Sequence, residues 1–182
     1  MTSRSSRPLA LALALVGATA SLTALPAPTQ AAGLPIPVDC TDRRVVLEWD
    51  GLTYDLQGTC GVVVVAADHT EVTIPASRRI VVRGEGNVVH AKPADRLRVL
   101  GRDQRVDVVS VRSLRVASPG SVVTVTGLAE EASVAKRRAR LTADRLSELV
   151  VEGHHHTVRV RRGTTIVRDD GRHNTIRVHR RG

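Results

Sequence analysis

Pairs of apolar residues separated by a single residue recur along this chain at a nearly constant interval. One series begins at Tyr54, Val72, Val89, Val106, Val123, Leu141, Val158 and Ile176. It is completed two positions on by Leu56, Ile74, Ala91, Val108, Val125, Ala143, Val160 and Val178. A second series begins at Val45, Val63, Ile80, Leu97, Leu114, Ala132, Leu149 and Ile166. Its partners are Leu47, Val65, Val82, Val99, Val116, Val134 and Val151, with Arg168 breaking the rule at the last place. Within each series the interval is 17 or 18 residues, and the step from the second series to the first is 9 everywhere except the last, which is 10.

A triplet with apolar ends puts both ends on one face of a strand and its middle residue on the other. Turn-forming clusters fall between triplets, as in ASPGS before Val123, RGEGN before Val89, VEGHHH before Val158 and DDGRHN before Ile176. Each unit of 17 or 18 residues therefore holds two short strands and two turns, repeated about eight times, which is how a solenoid reads in sequence. The expected fold is all-β: a flattened parallel β-solenoid over residues 45–182, with two facing sheets and a thin interior of Val, Ile, Leu and Ala. An antiparallel β-sandwich or meander is the alternative. It accounts for the strand spacing but not for the constancy of the two-strand unit, because hairpin loops vary freely in length. Residues 130–149 are rich in helix formers and could make a helix from about Glu130 to Leu149. The period nevertheless continues through them at Ala132, Val134, Leu141 and Ala143, which keeps them in the solenoid.

Composition fits a narrow interior. The chain has no Phe, one Trp and one Tyr but is dense in Val, and a broad core would draw on large aromatic rings. Trp49 and Tyr54 lie in the first coil, where a ring could lid the core; stacking of a ligand on Trp49 is the sharper alternative. A charged last coil, RVHRRG with Arg168, is expected to keep the open strands from pairing with other chains.

Residues 1–31 read as a signal peptide, with Arg4 and Arg7 before an apolar stretch and a cleavage point after Ala31. Residues 32–44 form an N-terminal segment. No later apolar run is long enough to span a membrane, so a secreted, extracytoplasmic protein without a transmembrane segment in the mature chain is expected. In an oxidising compartment Cys40 and Cys60 are expected to form a disulfide.

The motifs resemble those of an actinobacterial family of exported proteins, domain of unknown function 3060. Its members look like strings of G-x-x-N-T-V-x-V units with a G-x-C-x-x-V-x-V unit near the front. Here Gly171, Arg172, His173, Asn174, Thr175, Ile176, Arg177 and Val178 match the first kind, and Gly84 through Ala91 match it in part. Gly58 through Val65, with Cys60 inside it, match the second, and Cys40 is the earlier cysteine. Arg, Gln, Ser or His stands at turns where the family favours Asn. The resemblance brings no known activity.

Charge is divided along the chain. From Gly33 to Ala135 there are 12 basic and 13 acidic residues, net −1; from Lys136 to Gly182 there are 13 and 5, net +8. Arg159, Arg161, Arg162, Arg177, Arg180 and Arg181 are therefore the candidates for binding an anionic cell-envelope polymer, Arg159 and Arg177 first because they occupy corresponding outward positions. A solvated face is the plainer account of the same charges. Base-specific nucleic-acid recognition has no support, lacking interleaved aromatics and a recognition helix. The outward positions Val46, Val64, Val81, Arg98, Arg115, Ser133, Val150 and Val167 form the more apolar face and suggest a scaffold for another envelope protein.

His154, His155, His156 and His173 are the candidate metal ligands for zinc or copper, because the register makes His155 and His173 neighbours near Asp170. The plainer account is a row of solvated turn residues. His90 and Asp107 become adjacent on an outward column, which a carbohydrate-active β-helix enzyme could use, but no nucleophile or pocket accompanies them. The expectation is a binding or structural module, not an enzyme, with no cofactor.

Overall fold

The computed structural model describes residues 34–179. Fifteen strands follow one another there: β1 (Ile36–Asp39), β2 (Arg44–Leu47), β3 (Thr53–Gln57), β4 (Cys60–Val65), β5 (Glu71–Ile74), β6 (Ser77–Val82), β7 (Val88–Ala91), β8 (Ala94–Val99), β9 (Arg105–Val108), β10 (Val111–Val116), β11 (Val122–Val134), β12 (Arg140–Val151), β13 (Thr157–Arg162), β14 (Ile166–Asp169) and β15 (Thr175–Val178). Among the described residues there is no helix, so residues 130–149 are strands β11 and β12 and the turn joining them. The leader expected at residues 1–31 lies outside the described residues, as do Arg180 and Arg181.

Every pairing between strands is parallel, and each strand pairs with strands one coil away. This is a β-solenoid of about eight turns. The first sheet runs β1, β3, β5, β7, β9, the leading half of β11, the leading half of β12, β13 and β15. The second runs β2, β4, β6, β8, β10, the trailing halves of β11 and β12, and β14. Between them the inward residues form one continuous core, including Val63, Ile80, Leu97, Leu114 and Leu149 from one side and Val72, Val89, Val106, Val123, Leu141 and Val158 from the other. Side chains of this size suit the narrow gap between two close sheets, so the core is built without phenylalanine.

The rungs follow the apolar register except in the last coil. There Leu149 pairs with Val167, not Ile166, and Val151 pairs with Asp169. Ile166 is 72 % exposed, and Arg168 stands on the outer face opposite Val150. Arg168 therefore does not break the inward rule; Asp169 does. Its Oδ1 accepts from the Gly171 N–H at 3.1 Å and from Asn174 Nδ2 at 2.9 Å, so a charged residue still closes this end.

At the other end the solenoid starts earlier than residue 45, because β1 already pairs with β3, Ile36 opposite Tyr54 and Val38 opposite Leu56. Cys40 and Cys60 are joined and fully buried, tying the leading corner to the start of β4. Tyr54 is buried in the core, whereas Trp49 is 73 % exposed, so the indole is not a lid.

Candidate functional site: the turn ladder and two basic faces

The turn that carries the chain from the second sheet back to the first has one side chain pointing inward in each coil. Thr70, Asn87, Gln104, Ser121 and His156 are buried there, with Ala139 between the last two and half-buried Asn174 beyond. Thr70 Oγ1 donates to the carbonyls of Trp49 and Asp68, and from Asn87 on each polar member accepts a backbone N–H from the coil before it: Thr70 N–H donates to Asn87 Oδ1 (2.9 Å), Asn87 N–H to Gln104 Oε1 (3.3 Å) and Gln104 N–H to Ser121 Oγ (2.8 Å). Further along, Ala139 N–H donates to His156 Nδ1 (3.1 Å) and His156 N–H to Asn174 Oδ1 (2.9 Å). The amides also donate inward, Asn87 Nδ2 to the carbonyls of Ala67 and Arg83 and Gln104 Nε2 to those of Gly84 and Arg102. Backbone polar groups buried in a turn must be paired, and the ladder pairs them. Gln, Ser and His therefore serve the role of Asn at this slot.

The three consecutive histidines do three different things. His154 is exposed and bridges the neighbouring turns at Arg137 and Arg172. His155 takes the left-handed conformation (φ 59°) and lays its ring flat over His173, centroids 5.2 Å apart and 15° between planes. His156 turns inward and is 1 % exposed, with Nδ1 accepting from Ala139 N–H and Nε2 at 3.0 Å from the Glu152 carbonyl. Nδ1 must hold a lone pair and Nε2 the proton, so the ring is neutral, and burial pushes its pKa below the usual histidine value while the Glu152 carbonyl pulls the other way. Both nitrogens of His156 are thus committed to the backbone. The exposed rings of His155 and His173 face each other flat, whereas a shared metal ion lies in the plane of each imidazole it binds. Among the described residues no three His, Cys, Asp or Glu side chains gather as a metal site.

On the outer face of the first sheet one column runs Asp55, Thr73, His90, Asp107, Thr124, Thr142, Arg159 and Arg177. His90 lies between carboxylates, Nε2 3.8 Å from Glu71 and Nδ1 3.6 Å from Asp107, with all three exposed enough to remain solvated. Arg159 and Arg177 are adjacent and exposed, and Arg140 stands diagonally across from Arg159 on β12. Arg161 is exposed at the end of β13. Arg162 is not free to join them. Its Nε meets Asp144 Oδ1 at 2.9 Å and its Nη2 meets Oδ2 at 2.5 Å, a bidentate pair that holds the Asp144 carboxyl below the usual carboxylate range.

The second sheet differs from the apolar face expected of it. One outer column is Val46, Val64, Val81, Arg98, Arg115, Ser133, Val150 and Arg168; the other is Arg44, Val62, Arg79, Arg96, Ser113, Glu131, Glu148 and Ile166. The valines cluster on the first three coils, and Val64 is buried beneath its neighbours. Beyond them lie Arg79, Arg96, Arg98 and Arg115, exposed and contiguous. Reading only the middle of each triplet hides this patch, because Arg79 and Arg96 stand one residue ahead of the triplet. Their repetition 17 residues apart is the signal that would have found them.

Compared with protein-family profiles, with curated proteins and with solved structures, the chain matches none.

Proposed function

We propose that the protein is an extracytoplasmic binding module, without catalytic chemistry of its own, that holds an anionic cell-envelope polymer against the outer face of its C-terminal coils. The observation that carries the reading is the gathering of Arg140, Arg159 and Arg177 on one exposed face, where the earlier coils present Asp55, Thr73 and Asp107. Parallel strands repeat about every 4.8 Å, so guanidiniums on successive coils meet the successive charges of an extended polymer. A leader-like N-terminus, a buried disulfide and the resemblance to exported proteins support placement outside the cytoplasm. No helix among the described residues is long and apolar enough to cross a membrane.

The test is retention of the mature protein on isolated envelope polymer over a salt series. Replacing Arg159 and Arg177 together with Ser removes two exposed charges and no buried contact, so folding is expected to be unchanged. Retention at low salt should fall by about tenfold, and the dependence on salt should flatten, since fewer counterions are released on binding. Unchanged retention in the double variant would overturn the reading.

A further inference from the structure

We infer that the outer face of the second sheet holds a separate site for a chain bearing two or more phosphate groups, built by Arg79, Arg96, Arg98 and Arg115. Arg79 is directly opposite Arg96 on β6 and β8, and Arg98 is directly opposite Arg115 on β8 and β10. Like charges placed opposite each other on neighbouring strands destabilise a sheet. Elsewhere on this surface the chain relieves such crowding: Arg112 lies 3.6 Å from Asp95 and 3.9 Å from Glu130, and Arg78 lies 3.8 Å from Asp42. Among the described residues none of the four arginines is within ion-pair distance of a carboxylate. Four uncompensated guanidiniums on three adjacent strands are a surface awaiting an anion.

The shape agrees with the charge. A groove of about 520 Å³ runs across these strands, walled by the four arginines, with Ser113 and Ser133 where the long side chains stop. Past the serines Glu131 and Glu148 line the same groove and reverse its sign, so an anion is held at the arginine end and repelled from the other. The two opposed pairs select phosphate. A planar carboxylate presents one edge that a single guanidinium fork fills, whereas the non-bridging oxygens of a tetrahedral phosphate accept from directions outside one plane and take donors from two neighbouring strands. Two such brackets, joined along β8 through Arg96 and Arg98, call for two phosphates on one chain. The site is on the opposite sheet from Arg159 and Arg177 and does not depend on them.

Calorimetric titration with tripolyphosphate, orthophosphate and a glycerol phosphate polymer tests this. Tripolyphosphate should bind one per chain, at least tenfold tighter than orthophosphate. R96S/R98S should weaken it at least tenfold, while R159S/R177S leaves it unchanged; R96K/R98K, which keeps charge and loses the forks, should fall between. E131Q/E148Q should tighten binding severalfold. Binding of the polymer through the same arginines identifies a phosphodiester chain as the source, and binding of tripolyphosphate alone identifies a soluble oligophosphate. Tripolyphosphate binding that is equal in R96S/R98S and the parent, or no tighter than orthophosphate, overturns the site while leaving the C-terminal reading to its own retention assay.

Discussion

His156 shows how a residue's place in the register differs from its role. A neutral ring is required there, and its folded-state pKa is depressed below the usual 6.5, chiefly by burial. Above about pH 6.5 the ring is neutral in both folded and unfolded chains, and the ladder contributes its full stability. As pH falls below that value the unfolded chain takes up the proton first, so stability drops until the folded-state pKa is passed. His154 and Asp169 bear on the ring with opposite sign, and a comparison with H156N removes their share. Asn fills the same slot in two other coils, so H156N should keep the ladder and flatten the fall in melting temperature between pH 7 and pH 5. H156A, which leaves the Ala139 N–H and the Glu152 carbonyl without partners, should lose about 1–3 kcal/mol at pH 7 in chemical denaturation. An unaltered pH profile in H156N would mean that the ring is not the titrating group. Sequence spacing made His155 and His173 neighbours and missed the inward turn of His156, because a run of three histidines carries no mark of which one faces the core. The comparison with Asn87 and Asn174, each three residues after a glycine, carries that mark.

At the scale of the strand and its turns, the two corners of each coil behave differently. From the last inward residue of the second sheet to the first of the next strand the chain always advances seven residues, as from Leu47 to Tyr54 and from Val151 to Val158. The buried ladder fixes that length, since an inserted residue would leave its polar groups unpaired. The opposite corner varies. It takes six residues from Ile74 to Ile80, Ala91 to Leu97, Val108 to Leu114 and Ala143 to Leu149, and seven from Val38 to Val45, Leu56 to Val63, Val125 to Ala132 and Val160 to Val167. Three of these four longer corners contain a glycine, Gly58 at φ 88°, Gly163 at φ 86° and Gly127 at the register shift within β11, and the first takes its left-handed residue from Asp42 at φ 52°. The fold class and nearly every rung were therefore legible from apolar spacing. The missed rung at Val167 was legible too, in Gly163 and in the single step of 10 residues. A Cβ at Gly127 would sit 2.8 Å from the Val109 carbonyl oxygen, whereas one at Gly163 has space but an unfavourable φ. G127A should therefore cost about 1–3 kcal/mol by displacing backbone, and G163A about 1–2 kcal/mol by conformation alone. Equal, negligible losses in urea titrations would show that the corners do not set the register.

For the whole molecule, stability is assembled coil by coil, because each strand touches only the coils beside it. The charge division along the chain was legible in sequence, but the bidentate pairing of Arg162 with Asp144 was not, since Asp144 lies in the corner beyond the triplet that ends at Ala143, and the register sets Arg145, not Asp144, opposite Arg162. The disulfide follows the same logic of neighbours. Cys40 and Cys60 close a loop with a sequence separation of 20 and join β1 and β2 to the coil they stack on, at the end where pairing comes from one side only. A loop of this size restricts the unfolded chain by about 3 kcal/mol. That contribution falls on the N-terminal coils alone, so C40S/C60S should raise amide exchange in β1 to β4 while β9 to β12 keep their protection. If exchange rises uniformly along the chain instead, the eight coils unfold as one cooperative unit and the disulfide stabilises all of them.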